Sequence, residues 1–376
     1  MLALMKVDSR RGLNLIQVPE PQIRERDEVL VEVGACGICG GEVSAYLSTE
    51  RRVERMSQHG WPYPLGHEIG GTVREVGEGV TGFKEGDRVA FHASPRCGVC
   101  FYCMRGQSNL CTNTGKRVGG FAKYVVFTHR YLFKLPETVS VEEAALVEPL
   151  GVALRAIERV HLKPGDSALI IGPGALGILA AMLLKSSGIQ TLVVAGRKTS
   201  RERLKIAAEI GATAVEISGD NLQDEIRART AGLGVDVVFD FTGASGVLGE
   251  AIKLVRSGGE IVILGGGETT GEVEQKFNQN QIIAKELTIL GSRNLQFSTW
   301  HRAVNLVASQ SLNLRKVITH SLPLEEYEKA FQLLIERKAL KVVLVPYENS
   351  LSPARRKEGN RGKKETTREQ SSRTMG

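Results

Sequence analysis

The chain has 376 residues, of which 42% are hydrophobic and 24% are charged, a composition that is ordinary for a globular protein and excludes a wholly disordered or collagen-like chain. No run of 18 apolar residues occurs and the first residues do not form a signal peptide, so we expect neither a membrane span nor secretion. The expected location is therefore cytoplasmic.

The net charge of +7 is concentrated at the C-terminus, where residues 351–376 carry +5. This segment has almost no apolar side chains that could enter a core, so residues 347–376 are predicted to form a disordered basic tail. No aromatic residues interleave with its charges, and no specific nucleic-acid partner is expected. Contact with nucleic acid or an acidic partner stays open as an alternative to a solvated extension.

Metal-ligand residue types occur at strand ends in the first half of the chain. Cys39 follows the apolar strand VLVEVGAC, and His67 and Glu68 open the strand HEIGGTVREV. Glu148 precedes a proline in VEPLG, a place where glutamate often only begins a helix. Thiolate, imidazole and carboxylate with one open position form a catalytic zinc site, although packing or capping would explain each residue singly.

Four cysteines lie within fifteen residues, at Cys97, Cys100, Cys103 and Cys111. A disulfide framework is not expected in a large chain without a signal peptide. Four thiolates can close around one Zn²⁺ and leave no open position, which makes such a site structural. The residues between them are too few and too polar to pack unaided, so the metal would order this lobe, residues 96–112. Unligated thiols and an iron–sulfur cluster are the alternatives.

The segment SALIIGPGALGILAAMLLKSSG predicts a buried strand, a glycine turn and an apolar helix. Its G-x-G-x-x-G turn lets the backbone approach a pyrophosphate at a helix N-terminus. Alternating strands and helices follow, which predicts a doubly wound parallel sheet. The predicted cofactor-binding residues of the turn are Gly172, Gly174, Leu176 and Gly177, and those after a later strand are Leu264, Gly265 and Gly266.

The end of the second strand of this sheet lacks the carboxylate that usually contacts the ribose of NAD. Gly196 occupies that position, followed by Arg197 and Lys198, with Arg203 nearby. No negative charge would repel a 2′-phosphate and several cations could pair with it, so NADP is favoured over NAD. The alternative is that these cations are solvated and that NAD binds without the carboxylate.

Several motifs occur in an order that resembles a known family: GICGG, PLGHEIGGTVREVGEGVTGFKEGDRVA, CGVCFYCMRGQSNLC, VEPLGVALRA, PGALG and LKVVLVP. Together they resemble the zinc-dependent medium-chain dehydrogenases/reductases of the alcohol dehydrogenase superfamily. The resemblance covers about residues 1–346. The VEP motif is similar to that of the sorbitol and threonine dehydrogenase branch.

This resemblance implies an α/β fold with a GroES-like, mostly-β catalytic domain and a Rossmann domain with a doubly wound parallel sheet. The predicted boundaries are 1–150 for the catalytic domain, 151–298 for the NAD(P)-binding domain and 299–346 for a return to the catalytic domain. A homodimer or homotetramer is also implied, in which Rossmann sheets often pair edge to edge.

The same resemblance implies two Zn²⁺ ions per chain and hydride transfer between NAD(P) and a secondary alcohol of the polyol, sugar or amino-alcohol type. The catalytic zinc would be bound by Cys39, His67 and either Glu68 or Glu148, because glutamate ligands exchange in this family. The structural zinc would be bound by the four clustered cysteines.

Two positions near Cys39 depart from the family pattern. Gly41 stands where the family has Ser or Thr, and Ser44 stands where it often has His, whereas Glu42 keeps a carboxylate at the Asp position. The first hydroxyl of the usual proton relay is therefore absent. The proton acceptor stays open among Glu148, Glu68, Ser44, Tyr46, His59 and a water.

Cys36 is left over, and it is either a small buried residue or half of a redox pair with Cys39. Three other functions are considered: a zinc-free reductase of the same superfamily, a non-catalytic scaffold and a zinc-ribbon nucleic-acid binder. The complete set of ligand types argues against the first, Gly41 slightly favours the second, and the nearly neutral body argues against the third.

Deletion of residues 351–376 is expected to leave turnover and the melting temperature nearly unchanged, because this segment cannot pack into a core. Enzyme assays and thermal melts of the full and truncated chains make the comparison. A large loss of activity on truncation would contradict this prediction.

Overall fold

The computed structural model describes residues 1–92, 95–115, 118–265 and 273–346. The predicted basic tail, residues 347–376, and Gly266 lie outside these ranges. Within them, no helix is both long and apolar enough to span a bilayer. The described chain folds around a sheet-rich N-terminal part and a parallel sheet flanked by helices, so the predicted α/β fold is confirmed.

The N-terminal part contains two sheets, a small antiparallel one and a larger one that is antiparallel except for the pair β15 and β16. A small sheet has the order β2-β1-β4, and a larger mixed sheet has the order β15-β16-β3-β5-β6-β8, with β7 also paired to β3. Their strands are β1 (Leu2–Lys6), β2 (Asn14–Gln17), β3 (Glu28–Gly37), β4 (Tyr63–Pro64), β5 (Glu68–Val76), β6 (Arg88–His92), β7 (Tyr124–Thr128), β8 (Leu132–Leu135), β15 (Ile318–Pro323) and β16 (Lys341–Val345).

The second part is a six-stranded parallel sheet with the order β11-β10-β9-β12-β13-β14. Strand order reverses beside β9, which is where such sheets bind ligands at their carboxyl ends. The central strands are rich in Val, Ile and Leu and are buried on both faces, as parallel strands require. The strands are β9 (Ser167–Ile171), β10 (Thr191–Gly196), β11 (Thr213–Glu216), β12 (Val235–Asp240), β13 (Val255–Ile263) and β14 (Thr288–Gly291).

Helices connect these strands and cover both faces of the parallel sheet. The helices of the N-terminal part are α1 (Gly40–Leu47), α2 (Glu50–Ser57), α3 (Phe101–Met104) and α4 (Val141–Ala145). The remaining helices are α5 (Val147–Ile157), α6 (Ala175–Ser186), α7 (Arg201–Glu209), α8 (Asn221–Arg229), α9 (Val247–Leu254), α10 (Gln279–Lys285), α11 (Phe297–Ala308) and α12 (Tyr327–Ile335).

The last two strands return to the N-terminal sheet, where β16 pairs with β3 and with β15. Helix α5 lies between the two parts, because it packs on α6 and α11 and also reaches β5 and β6. Gly151 lets Leu295 approach the helix closely, since a Cβ at this position would overlap the leucine side chain. Phe133 stacks on Trp300 with ring centroids 5.1 Å apart, which joins β8 to α11.

Candidate metal centres and dinucleotide cleft

The residues predicted to form the catalytic centre lie together around His67. Cys39 is the N-cap residue of α1, His67 precedes β5, and Glu148 is in the first turn of α5. The candidate ligand atoms of Cys39, Glu42 and His67 lie within 4.8 Å of one another, and so do those of His67, Glu68 and Glu148. Sulfur, nitrogen and oxygen atoms at this separation match the donor set of a catalytic zinc site.

Glu42 holds both Cys39 and His67 in place. One carboxylate oxygen of Glu42 accepts a hydrogen bond from the backbone N–H of Cys39 at 3.1 Å. The other pairs with Nδ1 of His67 at 2.7 Å, which leaves Nε2 of His67 as the nitrogen available to a metal. Burial lowers the pKa of His67, but the Glu42 carboxylate and the Cys39 thiol raise it more, so the net shift is upward.

Glu68 is bound by a buried lysine. Nζ of Lys341 lies 2.7 Å from each carboxylate oxygen of Glu68 and also donates to the carbonyl of Ile38 at 3.1 Å. The side chains of Lys341 and Glu68 are 4% and 1% exposed. Burial lowers the pKa of Lys341, but the Glu68 carboxylate raises it more, so the lysine stays charged.

Glu148 faces the same cluster without a described hydrogen-bond donor of its own. Loss of surrounding water, together with the nearby carboxylates Glu68 and Glu42, raises its pKa to about 7, while His67 and Lys341 act in the opposite direction. A carboxylate in this environment is stabilised by an added cation. The charges of the cluster are therefore better balanced with a divalent metal ion bound than without one.

The candidate proton acceptors differ in their availability. Ser44 is buried, and its hydroxyl donates to the carbonyl of Gly40 at 3.1 Å, within its own helix. Tyr46 stacks on Phe331 with ring centroids 4.8 Å apart. His59 is exposed and packs near Tyr63. None of these contacts provides a hydroxyl group at the position of Gly41.

The four clustered cysteines converge as predicted, with their sulfurs within 4.8 Å of one another. Sγ of Cys111 lies 3.6 Å from Cys97 and 3.9 Å from Cys100. Zn–S bonds of about 2.3 Å in a tetrahedron place sulfurs about 3.8 Å apart, so the spacing fits one zinc ion. Backbone hydrogen bonds from Cys103 and Thr112 lower the pKa of Cys100 to about 6, whereas burial and the neighbouring sulfurs raise that of Cys103 to about 12, so the cluster needs a cation before all four sulfurs are thiolates.

Cys36 lies inside the core of the N-terminal sheet and is fully buried. Burial raises the pKa of its thiol well above the usual value. Its sulfur packs closely against Gly66 and Gly120, because a Cβ at either position would come within 3.0 Å of it. A buried thiol with a high pKa is unreactive, so these features favour the packing role over the redox pair.

The glycine turn lies between β9 and α6, at the carboxyl edge of the parallel sheet. Gly172 has a φ of 106°, and a Cβ at Gly177 would overlap the carbonyl of Gly172. Gly174 is the N-cap residue of α6, with open space where its Cβ would be. Leu176 lies in the first turn of this helix and is partly buried. Unpaired N–H groups and an uncrowded N-cap residue fit a pyrophosphate here.

A second loop approaches this edge after β13. The N–H groups of Leu264 and Gly265 both donate to the carbonyl of Asp240, each at 3.0 Å. A Cβ at Gly265 would overlap the backbone at Gly243, so only glycine permits this approach. These residues lie beside the carboxyl end of β12, next to β9.

The cations after β10 are not equivalent. Arg197 and Lys198 are exposed directly after Gly196. Arg201 instead forms a two-point ion pair with Glu216, at 2.8 and 3.0 Å. Arg203 donates to the carbonyl of Ala339 at 2.6 Å, and burial lowers its pKa. The argument for a 2′-phosphate contact is therefore stronger for Arg197 than for Arg203.

Two residues of the site were not identified as site residues from the sequence. Glu42 was recognised only as a retained carboxylate, although its place in the first turn of the helix after Cys39 indicates a capping contact. Lys341 lies in the apolar strand KVVLV, and a lysine in a buried strand requires a buried acidic partner. That signal predicts an acidic partner without identifying it.

Two family models match the chain. The alcohol dehydrogenase GroES-like domain matches residues 25–137, and the zinc-binding dehydrogenase family matches residues 175–309. A sorbitol dehydrogenase of Halalkalibacterium halodurans is 33% identical over 352 residues, which are 92% of this chain and 99% of the relative. An L-threonine 3-dehydrogenase of Pyrococcus abyssi is 36% identical over 355 residues, with 92% and 98% covered.

Solved structures are similar over the same length. The 2R,3R-butanediol dehydrogenase of Bacillus subtilis has a TM-score of 0.81 and 32% identity, covering 92% of this chain and 99% of that one. A chain from Sinorhizobium meliloti 1021 was solved with NADP (TM-score 0.78, 28% identity) and one from E. coli CFT073 with NADH (TM-score 0.80, 28% identity). Each of these two also covers 92% of this chain and 99% of the solved one.

Replacement of Glu42 by Gln is expected to weaken zinc binding at the Cys39–His67 centre about 10- to 100-fold, because the carboxylate that orients His67 is lost. Competition with a chromogenic chelator measures the affinity. Glu50→Gln is the control, because Glu50 is an exposed glutamate in the first turn of the next helix. Equal zinc affinity in the two variants would contradict the orienting role.

Proposed function

The chain belongs to the zinc-dependent medium-chain dehydrogenases of the alcohol dehydrogenase superfamily, and from this we propose that it transfers hydride between a secondary alcohol and NAD(P). The observation that supports this most directly is the convergence of Cys39, His67 and two glutamates at the start of α5, a helix that packs on the helix following the glycine turn. Glu148 lies in α5, and α5 packs on α6, whose N-terminus carries the glycine turn.

In this proposal Cys39, His67 and Glu148 hold the catalytic zinc, while Glu68 stays on Lys341. Both oxygens of Glu68 already have a charged partner, whereas Glu148 is partly buried and has no ion-pair partner among the described residues. Zinc in this site supplies a Lewis acid that polarises the substrate oxygen, and the nicotinamide supplies the hydride acceptor. Glu42 keeps His67 in its ligating orientation.

The proton lost by the alcohol needs a route that does not use a hydroxyl at Gly41. Ser44 donates within its helix and Glu68 is held by Lys341. We therefore propose that water accepts this proton.

We propose a substrate with a second hydroxyl or an amino group on the carbon beside the carbinol. Sorbitol, L-threonine and 2R,3R-butanediol, named for the relatives above, share this arrangement. The fitting experiment is a turnover screen of these alcohols with NAD⁺ and NADP⁺, on protein of measured zinc content. 2-Butanol is the matched control for 2,3-butanediol, since it lacks only the second hydroxyl.

Two zinc ions per chain are expected, with separate roles. Cys39→Ser should abolish turnover and leave the melting temperature nearly unchanged, whereas Cys97→Ser should lower the melting temperature because the lobe loses a closing ligand. Metal analysis, thermal melts and the turnover screen test this together. One zinc or none in active, carefully purified protein would refute the two-site assignment.

We propose NADP as the preferred cofactor, on the strength of Arg197 and Lys198. A charge-assisted hydrogen bond from a cation to a 2′-phosphate contributes about 1.5–3 kcal/mol, so Arg197→Leu should lower kcat/KM for NADP about tenfold or more and leave that for NAD little changed. Arg229→Leu, an exposed arginine at the last residue of α8, is the control. A wild type that prefers NAD tenfold would overturn the assignment.

Substitution at Gly196 is a poor test of this preference. A Cβ there would lie 2.7 Å from Cγ of Pro173 and 3.3 Å from Cβ of Ser200. Gly196→Asp would therefore disturb the pyrophosphate turn as well as add a carboxylate, and a loss of activity would have two causes. The Arg197 variant changes only an exposed side chain.

We also propose a homodimer or homotetramer. Strand β14 is paired on one side only, with β13, among the strands that the structure describes. The neighbouring helix α10 carries Ile283, which is 65% exposed. An unpaired strand beside exposed apolar surface is suited to pairing with the same strand of a second copy.

A further inference from the structure

A carboxylate lies beside the position where the usual ribose-binding carboxylate is missing. Strands β10 and β11 are parallel neighbours, and Glu216, the last residue of β11, is the register partner of Gly196. The N–H of Ile217 donates to the carbonyl of Gly196 at 2.8 Å, which holds the ends of the two strands together. Neighbouring strands are about 4.8 Å apart, so Glu216 begins only one strand spacing away from Gly196.

The side chain of Glu216 lies on the face of the sheet to which a side chain at residue 196 would point. A Cβ at Gly196 would approach Pro173 in the glycine turn and Ser200, the N-cap residue of α7. Residues paired in register on neighbouring strands point to the same face. Glu216 accordingly reaches Arg201, the first residue of α7. The chain therefore has a carboxylate at this edge of the sheet, displaced by one strand from its usual position.

Arg201 balances the charge of this carboxylate. Its Nε and Nη2 donate to the two carboxylate oxygens of Glu216 at 2.8 and 3.0 Å. These hydrogen bonds lower the pKa of Glu216, and the charges of Arg201 and Lys198 act in the same direction, so the carboxylate is ionised at neutral pH. Both side chains are partly exposed to water. An ion pair of this kind contributes little to stability, so either partner can be replaced without loss of the fold.

The pair determines how much positive charge a 2′-phosphate would meet at this edge. Arg197 and Lys198 are exposed directly after β10, and Arg201 begins α7 shortly after them. While Glu216 is present, the charge of Arg201 is neutralised and two of its donors are occupied. Without Glu216, Arg201 would be a third available cation. Without Arg201, the Glu216 carboxylate would be an unbalanced negative charge beside Gly196.

We propose that Glu216 is a specificity-determining residue of the cofactor cleft, and that its pairing with Arg201 limits the preference for NADP over NAD. This inference rests on the proposed function, because it assumes that the cleft binds NAD(P). NAD carries a hydroxyl where NADP carries the phosphate, so a charge at residue 216 acts mainly on NADP. A unit charge about 6 Å from another in water changes a binding constant about threefold.

The test is fluorescence titration of the full, zinc-loaded chain with NADPH and with NADH at low, constant ionic strength, because salt would screen the exposed charges. The quantity compared is the ratio of the dissociation constant of NADH to that of NADPH. Glu216→Gln should raise this ratio about threefold or more, since Arg201 is released. Arg201→Gln should lower it about threefold or more, since the carboxylate is left unbalanced. The double variant should return to within about twofold of the wild type.

Glu225 and Arg229 provide the matched control, because they form an ion pair of similar exposure on α8. Glu225→Gln and Arg229→Gln change the net charge of the chain by the same amounts, and they should leave the ratio within about twofold of the wild type. Melting temperatures of all variants are measured in parallel. If the pair between Arg201 and Glu216 only stabilised the fold, its variants would lower the melting temperature and change both dissociation constants equally.

An unchanged or lower ratio in Glu216→Gln, or an equal rise in Glu225→Gln, overturns the proposal. A wild type that binds NADH more tightly, with the ratio still rising in Glu216→Gln, contradicts the preference for NADP and supports the role of Glu216. A wild type that prefers NADPH, with the same ratio in every variant, contradicts the role of Glu216 alone. Absence of saturable binding of either nucleotide overturns both proposals. Turnover enters none of these readouts.

Discussion

The buried ion pair between Lys341 and Glu68 is the constraint on which the candidate catalytic centre depends. It joins the last described strand, β16, to the beginning of β5, and the space for it exists because residue 37 is glycine: a Cβ there would overlap the Glu68 carboxylate. Removing one partner of a buried pair costs about 3–5 kcal/mol, because the other charge is left without compensation. The centre is therefore complete only when the C-terminal strand is in place.

The same pair separates the roles of three carboxylates that surround one imidazole. Glu42 is hydrogen-bonded to His67 and to the backbone N–H of Cys39, and Glu68 is paired with Lys341. Glu148 is left with a raised pKa and no described cationic partner of its own. In the proposed assignment, negative charge in excess of the protein's own cations would favour a divalent ion, and the two paired carboxylates would leave Glu148 as its carboxylate ligand.

The parts of the fold that could be predicted from the sequence are those specified by neighbouring residues. The strand, glycine turn and helix at Gly172–Gly177 are contiguous, and the four cysteines of the lobe lie within fifteen residues, so spacing alone predicted both. Lys341 and Glu68 are 273 positions apart. A lysine in an apolar strand predicts that an acidic partner exists, but the identity of that partner depends on strand pairing, which no local pattern specifies.

The sequence also did not predict which partners the arginine side chains near Gly196 bind. Arg201 and Arg203 follow Gly196 closely enough in the chain to be candidates for cofactor binding. In the structure, however, Arg201 is paired with Glu216 and Arg203 donates to the carbonyl of Ala339. The sequence predicts how many cations are near the ribose end, whereas the tertiary contacts determine which of them are free. Only the free ones can select a cofactor, so a count of nearby cations overestimates the preference.

Helix α5 runs from the candidate catalytic centre to the groove beside the cysteine lobe. Its N-terminal turn carries Glu148, while its C-terminal half carries Arg155 and is followed by Arg159. The cysteine lobe reaches that second end through Asn109, which donates to Arg293, and through Ser108, which accepts from the N–H of Phe297. Metal in the lobe would thus also order the contact between the lobe and the segment that leads into α11.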